Sequence, residues 1–407
     1  MPRSAAPWAA LRFMLAATER RKRRMSEATL PRSPGIDALR GASILLVVVH
    51  HLGLRIPLHK TDAGRWLPVP LLKGIIYNGY EAVFVFFVIS GFLIARHTLE
   101  RDGALAGIDW RGFYARRVAR IGPCLVALVA ILLGCHALAV PDYTIDAARQ
   151  SPLGATLSAF TFTLNVYEAR TGWLPGGWDV LWSLSVEEVF YLAFPLVCLT
   201  LGRTRWLVPA LIALVVSVPF TRAAIVDNEI WQEKAYLPGM GAIAAGVLAA
   251  LAVDRRRGRA WLAMPRSRAL LRATGIAGVA LVMFSGGWLW HAIREGYMLV
   301  LIGASVCLVL GWPENGAGAR GLGWLRAMGR SSYEIYLTHM FVVFSLVAIA
   351  RATGTDKAWG WIWFAPAVAL TSALGWCVAR WFSEPANRRT RRQFRSRRWA
   401  IAAQDNG

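Results

Sequence analysis

Long apolar runs alternate with short polar connections along nearly the whole chain. Runs of about 20 apolar residues, the length that a helix needs to cross a bilayer, fall roughly at 38–57, 79–96, 121–140, 182–201, 206–222, 236–253, 270–290, 295–312, 332–350 and 361–381. Only helices and closed barrels satisfy their backbone hydrogen bonds inside hydrocarbon. The pattern therefore predicts an all-α, polytopic integral membrane protein with about ten transmembrane helices.

Composition and charge agree with this fold class. The 407 residues are 56% hydrophobic and 17% charged, with a mean hydropathy of +0.42, whereas a soluble domain is about a quarter charged. A formal net charge of +22 would suggest nucleic acid in a soluble protein. Here the basic residues lie between apolar runs and no nucleic-acid motif is visible. We therefore expect the lipid bilayer, with its anionic headgroups, as the partner and no nucleic acid.

The basic residues are unevenly divided among the connections. They concentrate in both tails and in alternate loops, and such loops stay on the cytoplasmic side. An even number of spans puts both termini on one side of the membrane, and the charge bias leads us to expect that side to be the cytoplasm. The longest outer connection, 141–181, contains a weaker apolar stretch at 153–166. This stretch is predicted to be a re-entrant or interfacial helix, because a further full span would break the charge pattern.

These elements divide the chain into three parts. We expect a basic cytoplasmic tail at 1–34, with Met25 as an alternative start, a membrane domain at 35–385, and a second basic cytoplasmic tail at 386–407. No outer loop is long enough for a soluble extracytoplasmic domain. The five cysteines lie in or beside apolar runs without CxxC spacing. That pattern favours small core residues over disulfides or metal ligands, so we expect no metal site.

The first apolar run carries ionisable residues that are costly in hydrocarbon and therefore indicate function. Arg40 and His51 are eleven residues apart, about three helical turns, which puts them on nearly the same face roughly 16 Å apart. His50 points about 100° away from that face. One stripe of this helix thus links a cation near the membrane edge with a titratable base near its middle.

Two further motifs lie near the predicted cytoplasmic side. Arg116, Arg117 and Arg120 share one broad helical face, where guanidinium groups can bind phosphates bidentately. The alternative is an ordinary positive-inside anchor. In the second apolar run, Ser90 precedes Gly91, and this pair is either a polar site element or a small-residue contact between helices.

Polar residues also enter the fourth and ninth runs. Ser185, Glu187 and Glu188 lie at the start of the fourth run, and the adjacent carboxylates project about 100° apart. One is expected to face a site, the alternative being a solvated helix end. In the ninth run, Tyr336 and His339 are one turn apart. His339 is either part of the site or a histidine satisfied by a neighbouring carbonyl.

This inventory favours an enzyme that transfers a group from a phosphorylated carrier. A buried base, a carboxylate and an arginine cluster are its parts, and the chain has no P-loop, HExxH or GxSxG motif. A proton-coupled secondary transporter is the alternative, because buried His and Glu also suit a pump. A non-catalytic membrane scaffold is a third hypothesis.

The motifs resemble those of the bacterial acyltransferase-3 family of integral membrane O-acyltransferases. The matching pieces follow the family's order and cover about 35–385: Asp37-Ala-Leu-Arg40 with His51, Phe86-Phe87-Val-Ile-Ser90-Gly91-Phe92, Arg116-Arg117-Val-Ala-Arg120-Ile-Gly-Pro123, Trp182-Ser-Leu-Ser-Val-Glu187-Glu188-Val-Phe-Tyr191, Ser332-Tyr333-Glu-Ile-Tyr336-Leu-Thr-His339 and Glu384-Pro385. The chain resembles the stand-alone type of the family, without an SGNH domain.

The resemblance implies a multi-pass enzyme of the bacterial inner membrane with no bound cofactor. It would move an acyl group, typically acetyl, from the co-substrate acyl-CoA to a hydroxyl of a cell-surface polysaccharide, lipid-linked glycan or glycoside. The arginines 116, 117 and 120 would hold the CoA phosphates, Arg40 would steer the donor, and His51 would be the general base. Glu187 would orient His51 or bind the acceptor, with Glu188, Ser185, Ser90, Tyr336 and His339 in support. The transfer would be direct or would pass through an acyl-enzyme.

Overall fold

A computed structural model describes residues 33–312 and 321–404. Within these ranges the protein is helical and contains no β-strand, as the apolar pattern predicts. The predicted N-terminal tail, including Met25, lies outside the described residues apart from 33 and 34. All five cysteines are free.

Twenty α-helices follow one another in the described ranges. In chain order they are α1 (Pro34–Gly53), α2 (Ala63–Trp66), α3 (Val69–Ile76), α4 (Gly79–Asp102), α5 (Trp110–Ala137), α6 (Pro152–Phe160), α7 (Leu164–Thr171), α8 (Gly176–Asp179), α9 (Trp182–Leu201), α10 (Leu207–Val216), α11 (Val218–Ala223), α12 (Glu229–Lys234), α13 (Tyr236–Asp254), α14 (Arg256–Ala263), α15 (Pro265–Ile293), α16 (Tyr297–Gly311), α17 (Gly323–Arg330), α18 (Ser332–Ala352), α19 (Phe364–Val378) and α20 (Glu384–Gln404). A π-helical turn at Ala379–Ser383 joins α19 to α20.

Eight stretches of the described chain are long and apolar enough to cross a membrane. One of them, Pro265–Gly311, contains both α15 and α16, and the shorter apolar helix α10 is counted separately. Each apolar run found in the sequence coincides with a helix or a pair of helices. The protein is therefore a multi-pass membrane protein, and the number ten remains a prediction.

Local sequence signals set the ends of the functional helices. Ser33 caps α1 by accepting a hydrogen bond from the backbone N–H of Ile36, with Pro34 in the first turn. Asp109 caps α5 in the same way through the N–H of Gly112 at 3.1 Å. The helix α4 ends at Gly103, whose φ of +79° is a conformation that glycine adopts without strain.

Small residues let the central helices approach closely. A Cβ atom at Gly91 of α4 would collide with the backbone of Ile243 in α13, and one at Gly246 would collide with the backbone of Val88. Gly91 is therefore a packing residue, which is one of the two interpretations of the Ser90–Gly91 pair. Because Ser90 is the residue next to Gly91 on α4, its side chain points away from this contact with α13.

The connection between α5 and α9 folds back as short helices. The stretch predicted to be re-entrant or interfacial forms α6 and α7, of nine and eight residues. They are separated by a turn in which Phe162 has a φ of +56°. Neither helix approaches the roughly 20 residues needed to cross a bilayer. The short helix α8 follows, and Gly176 within it packs against Met340 and Phe344 of α18.

Candidate functional site

A cavity of about 760 Å³ opens among α1, α4, α5, α9, α18 and α20. Nine arginines line it, among them Arg40, Arg116, Arg117 and Arg120, against five carboxylates. Its arginine-rich end lies where α4 ends and α5 begins, which is the predicted cytoplasmic end of the bundle. The excess of guanidinium groups makes the cavity suitable for a polyanion such as a phosphorylated carrier.

The arginines differ in their partners. Arg117 lies over the ring of Tyr191, with 4.0 Å between its guanidinium carbon and the ring centroid. Arg120 is engaged by a carboxylate: its Nη1 is 2.9 Å from Oε1 of Glu334, and Ser383 donates a hydrogen bond to the same oxygen at 2.6 Å. Arg120 was expected to bind donor phosphates, and the structure shows that much of its charge is balanced within the protein.

Glu334 and Ser383 are site residues that sequence analysis missed. Glu334 belongs to the quoted Ser-Tyr-Glu-Ile-Tyr motif but received no role, and its side chain is almost fully buried. Ser383 lies in the π-helical turn, and such turns often mark functional positions. A buried Glu in the first turn of an apolar helix was the available signal.

The tail from residue 386 begins as part of the cavity wall. The sequence predicts a basic cytoplasmic tail there. In the structure α20 starts at Glu384 and packs along α5, and Asn387 and Arg391 line the arginine-rich end of the cavity. This part of the tail therefore belongs to the site.

The two adjacent glutamates of α9 have different environments. Glu187 lines the cavity, where Ser90 donates to its Oε1 at 3.0 Å and Tyr191 donates to its Oε2 at 3.3 Å. Glu188 is buried outside the cavity lining, and its Oε1 has no hydrogen-bond partner among the described atoms. Ser185 is buried and bonds to the carbonyl of Leu181 in its own helix. Glu187 and Ser90 are thus brought together, and Ser185 stands apart from them.

The histidines of α1 and α18 meet beyond the inner end of the cavity. The rings of His51 and His339 are 5.0 Å apart between centroids. The inner cavity wall contains Ser183 and Tyr336, and Ser183 donates to the Tyr336 hydroxyl at 2.8 Å. Tyr336 is one helical turn before His339, with 5.9 Å between the ring centroids. The structure therefore joins His51 to His339 and not to Glu187, whose described contacts are Ser90 and Tyr191.

His50 is held on another side of α1. Its Nδ1 lies 2.9 Å from the backbone carbonyl oxygen of Ile76, and Gly79 leaves room for its ring. The two neighbouring histidines therefore differ in their partners, although their rings are in edge contact at 5.3 Å between centroids.

A buried ionic cluster joins the connection between α5 and α9 to the helix α12. Lys234 forms ion pairs with Glu168, at 2.8 Å, and with Asp179, and its ammonium group is 3.9 Å from the Trp173 ring centroid. Burial, and next the Asp179 carboxylate, raise the pKa of Glu168, while Lys234 opposes the rise. Sequence analysis missed this cluster, since its members come from different loops. It ties α7, α8 and α12 together beside the histidine pair.

The described residues contain no group of three or more His, Cys, Asp or Glu side chains suited to a metal ion. Fold and site together define a multi-pass helical membrane protein with an arginine-lined interior cavity and a pair of contacting histidines, His51 and His339. The sequence model of a family described as "Acyltransferase domain" matches residues 33–381. The chain therefore belongs to this acyltransferase-3 family, as its motifs suggest.

Curated relatives carry related names. A putative O-acetyltransferase of Staphylococcus aureus (strain COL) is 27% identical over 176 residues, which cover 42% of this chain and 25% of the relative. The O-acetyltransferase OatA of Staphylococcus aureus (strain NCTC 8325 / PS 47) is 27% identical over 165 residues, or 40% of this chain and 24% of that protein. The chain thus matches about a quarter of the length of these relatives. No solved structure gives a significant match.

Proposed function

We propose that this protein is an acyl-CoA-dependent O-acyltransferase of the bacterial inner membrane. It moves an acyl group, most simply acetyl, to a hydroxyl of a cell-surface polysaccharide, lipid-linked glycan or glycoside. The observation that carries the proposal is the arginine-lined cavity whose inner wall, at Ser183 and Tyr336, lies one helical turn from His339 and its contact with His51. The family and the names of the relatives support acyl transfer to oxygen.

The donor enters from the arginine-rich end of the cavity. Arg116 and Arg117 bind its phosphates, because guanidinium groups pair bidentately with phosphate oxygens. Arg40, deeper in the cavity, directs the pantetheine arm inward. Arg120, tied to Glu334, contributes mainly by fixing the wall of the cavity. Glu187 hydrogen-bonds the acceptor, since its contacts hold it in the cavity wall.

His51 acts as the general base of the transfer. It accepts the proton of the acceptor hydroxyl, whose oxygen attacks the carbonyl carbon of the thioester. The carbon–sulfur bond then breaks, and the CoA thiolate takes the proton from His51. The products are an ester and free CoA, and His51 returns to its starting form.

Thiol release from acetyl-CoA by purified protein in nanodiscs tests the proposal. We expect His51→Gln to lower the rate by about 100-fold or more, because general-base catalysis contributes about 10²–10⁴-fold. His50→Gln is the matched control, since His50 adjoins His51 on α1 while its Nδ1 is bound to the Ile76 carbonyl. Wild-type rates in His51→Gln would refute the role of His51. Absence of thiol release by the wild type, even with acceptor-containing membrane extract, would refute the function.

A further inference from the structure

Hydrogen bonding fixes the tautomer of His339. Its Nδ1 is 2.8 Å from the backbone carbonyl oxygen of Tyr336. A carbonyl oxygen can only accept, so Nδ1 carries the hydrogen. The residue is fully buried, which favours the neutral ring. In that form the lone pair is on Nε2.

The Nε2 atom of His339 is a buried acceptor without a donor among the described atoms. Buried polar atoms in proteins nearly always have a partner, so such an atom requires an explanation. Two polar rings contact His339. The Tyr336 hydroxyl is already engaged, since it donates to the Val180 carbonyl at 3.0 Å and accepts from Ser183. The other ring is that of His51, tilted by 44° at a centroid distance of 5.0 Å.

In the structure the two rings are in contact but share no hydrogen bond. We infer that His339 is the positioning residue for His51: a small rotation of the His51 ring lets the Nε2 of His339 accept a hydrogen bond from a ring N–H of His51. That bond sets which nitrogen of His51 keeps its lone pair for the acceptor hydroxyl, and it orients the ring. When His51 takes the hydroxyl proton, both of its nitrogens carry hydrogen, and His339 stabilises the cation through the same bond. His339 itself neither gains nor loses a proton. The inference rests on the proposed function.

The Tyr336 carbonyl thus acts on the reaction through two rings. It holds the hydrogen on Nδ1 of His339, and Nε2 is therefore left as an acceptor. This acceptor then orients the ring of His51. A third group that orients the base is the usual logic of catalytic triads, where it is most often a carboxylate. In this protein the described contacts of Glu187 keep that carboxylate elsewhere, so an imidazole takes the orienting position.

Two substitutions of similar size separate positioning from packing. His339→Leu removes the acceptor, whereas His339→Gln supplies an amide oxygen in a side chain of comparable length. In thiol-release assays on the full chain in nanodiscs, we expect the Leu variant to lose about 100-fold in kcat, because small misplacements of a reacting group cost that much. Its KM for acetyl-CoA should stay within about twofold, since the arginines hold the donor. The Gln variant should recover a tenth or more of the wild-type kcat.

The same substitutions can overturn the inference. Wild-type kcat in His339→Leu would show that His51 needs no acceptor there. Equal losses in the Leu and Gln variants, with KM rising in parallel, would show that the side chain only fills space. His50→Gln serves as the reference for disturbance of α1 near the pair.

A thermal double-mutant cycle tests the bond without relying on activity. The midpoints of unfolding are measured in nanodiscs for wild type, His51→Phe, His339→Leu and the double variant. If His51 donates to His339, each single change leaves the other imidazole without its hydrogen-bond partner, and the double change removes both groups. We expect the double variant to lose clearly less than the sum of the single losses, and additive losses would refute the bond. If the two substitutions prove non-additive but the wild-type protein cleaves no acyl-CoA, the hydrogen bond is supported and the proposed function is refuted.

Discussion

At the scale of single residues, the arginines of the cavity differ in the groups that they contact. Arg120 is neutralised by Glu334, and Arg96 pairs with Glu100 at 2.6 Å. Arg117 instead lies on the face of Tyr191, an arrangement that leaves its N–H edge available to a ligand. Arg117 is therefore the arginine on which donor binding should depend most.

We expect Arg117→Ala to raise the KM for acetyl-CoA by about 10-fold or more, because a charge-assisted hydrogen bond contributes about 1.5–3 kcal/mol. Steady-state thiol release over a range of acetyl-CoA concentrations measures this. Arg111→Ala is the control, since Arg111 is exposed at the start of α5 and stacks beside Trp110. Equal effects of the two changes would indicate general attraction of anions and not a phosphate site.

Glu334 should matter for stability. Glu334→Ala leaves Arg120 without its carboxylate and Ser383 without its acceptor. Because Arg120 is 30% exposed, we expect a loss of about 2–3 kcal/mol in unfolding free energy, below the 3–5 kcal/mol of a fully buried pair. The control is Asp254→Ala, whose pair with Arg259 is exposed and worth about 0–1 kcal/mol. Similar unfolding midpoints for the two variants would contradict this ranking.

At the scale of elements, apolar length predicted the helices but not their partners. Each long apolar run became a helix because the bilayer leaves the backbone few other ways to satisfy its hydrogen bonds. The pairing of Arg120 with Glu334 joins residues 214 positions apart, and no local pattern encodes such a contact. The same holds for the meeting of His51 and His339. Glu187, expected near His51, meets Ser90 because the packing of α4 against α9 decides which groups become neighbours.

The glycine contact between α4 and α13 gives an element-scale prediction. Gly246→Ala places a methyl group against the backbone of α4, which cannot move without shifting the helix. We expect a lower unfolding midpoint and weaker thiol release, since Ser90 and Gly91 belong to the displaced helix. Gly303→Ala is the control, because a Cβ there meets nothing within 4 Å and alanine is the better helix former by about 1 kcal/mol. A midpoint for Gly246→Ala equal to that of the control would contradict the close approach.

At the scale of the whole molecule, charge is distributed along the membrane normal. The arginine-rich cavity opens at the end of the bundle formed by the 97–120 region and α20. The cluster around Lys234 lies in the connection that follows the other end of α5 and in α12. With both termini in the cytoplasm, as the positive-inside rule predicts, the arginine-rich cavity would open on the cytoplasmic side.

Reporter fusions test that orientation. A cytoplasm-active reporter fused after the last residue should be active, and an export-dependent reporter in the same place should be silent. Fusions after residue 145, in the connection between α5 and α6, should give the reverse result. An export-active reporter at the C-terminus would overturn the predicted topology and, with it, the cytoplasmic entry of the donor.

The Lys234 cluster has a consequence for biogenesis. Its cation is encoded 66 and 55 residues after its two carboxylates, so at about 5–20 residues per second the ribosome supplies Lys234 roughly 3–13 s after them. Until then Glu168 and Asp179 lack the cation that balances their charge when they are buried, and the segment that holds them stays hydrated. The segment that holds Glu168 and Asp179, beside the histidine pair, thus reaches its folded position late, after much of the bundle is in the bilayer. Nascent chains truncated before Lys234 should be cut by protease within 141–181, and chains extended past α13 should resist.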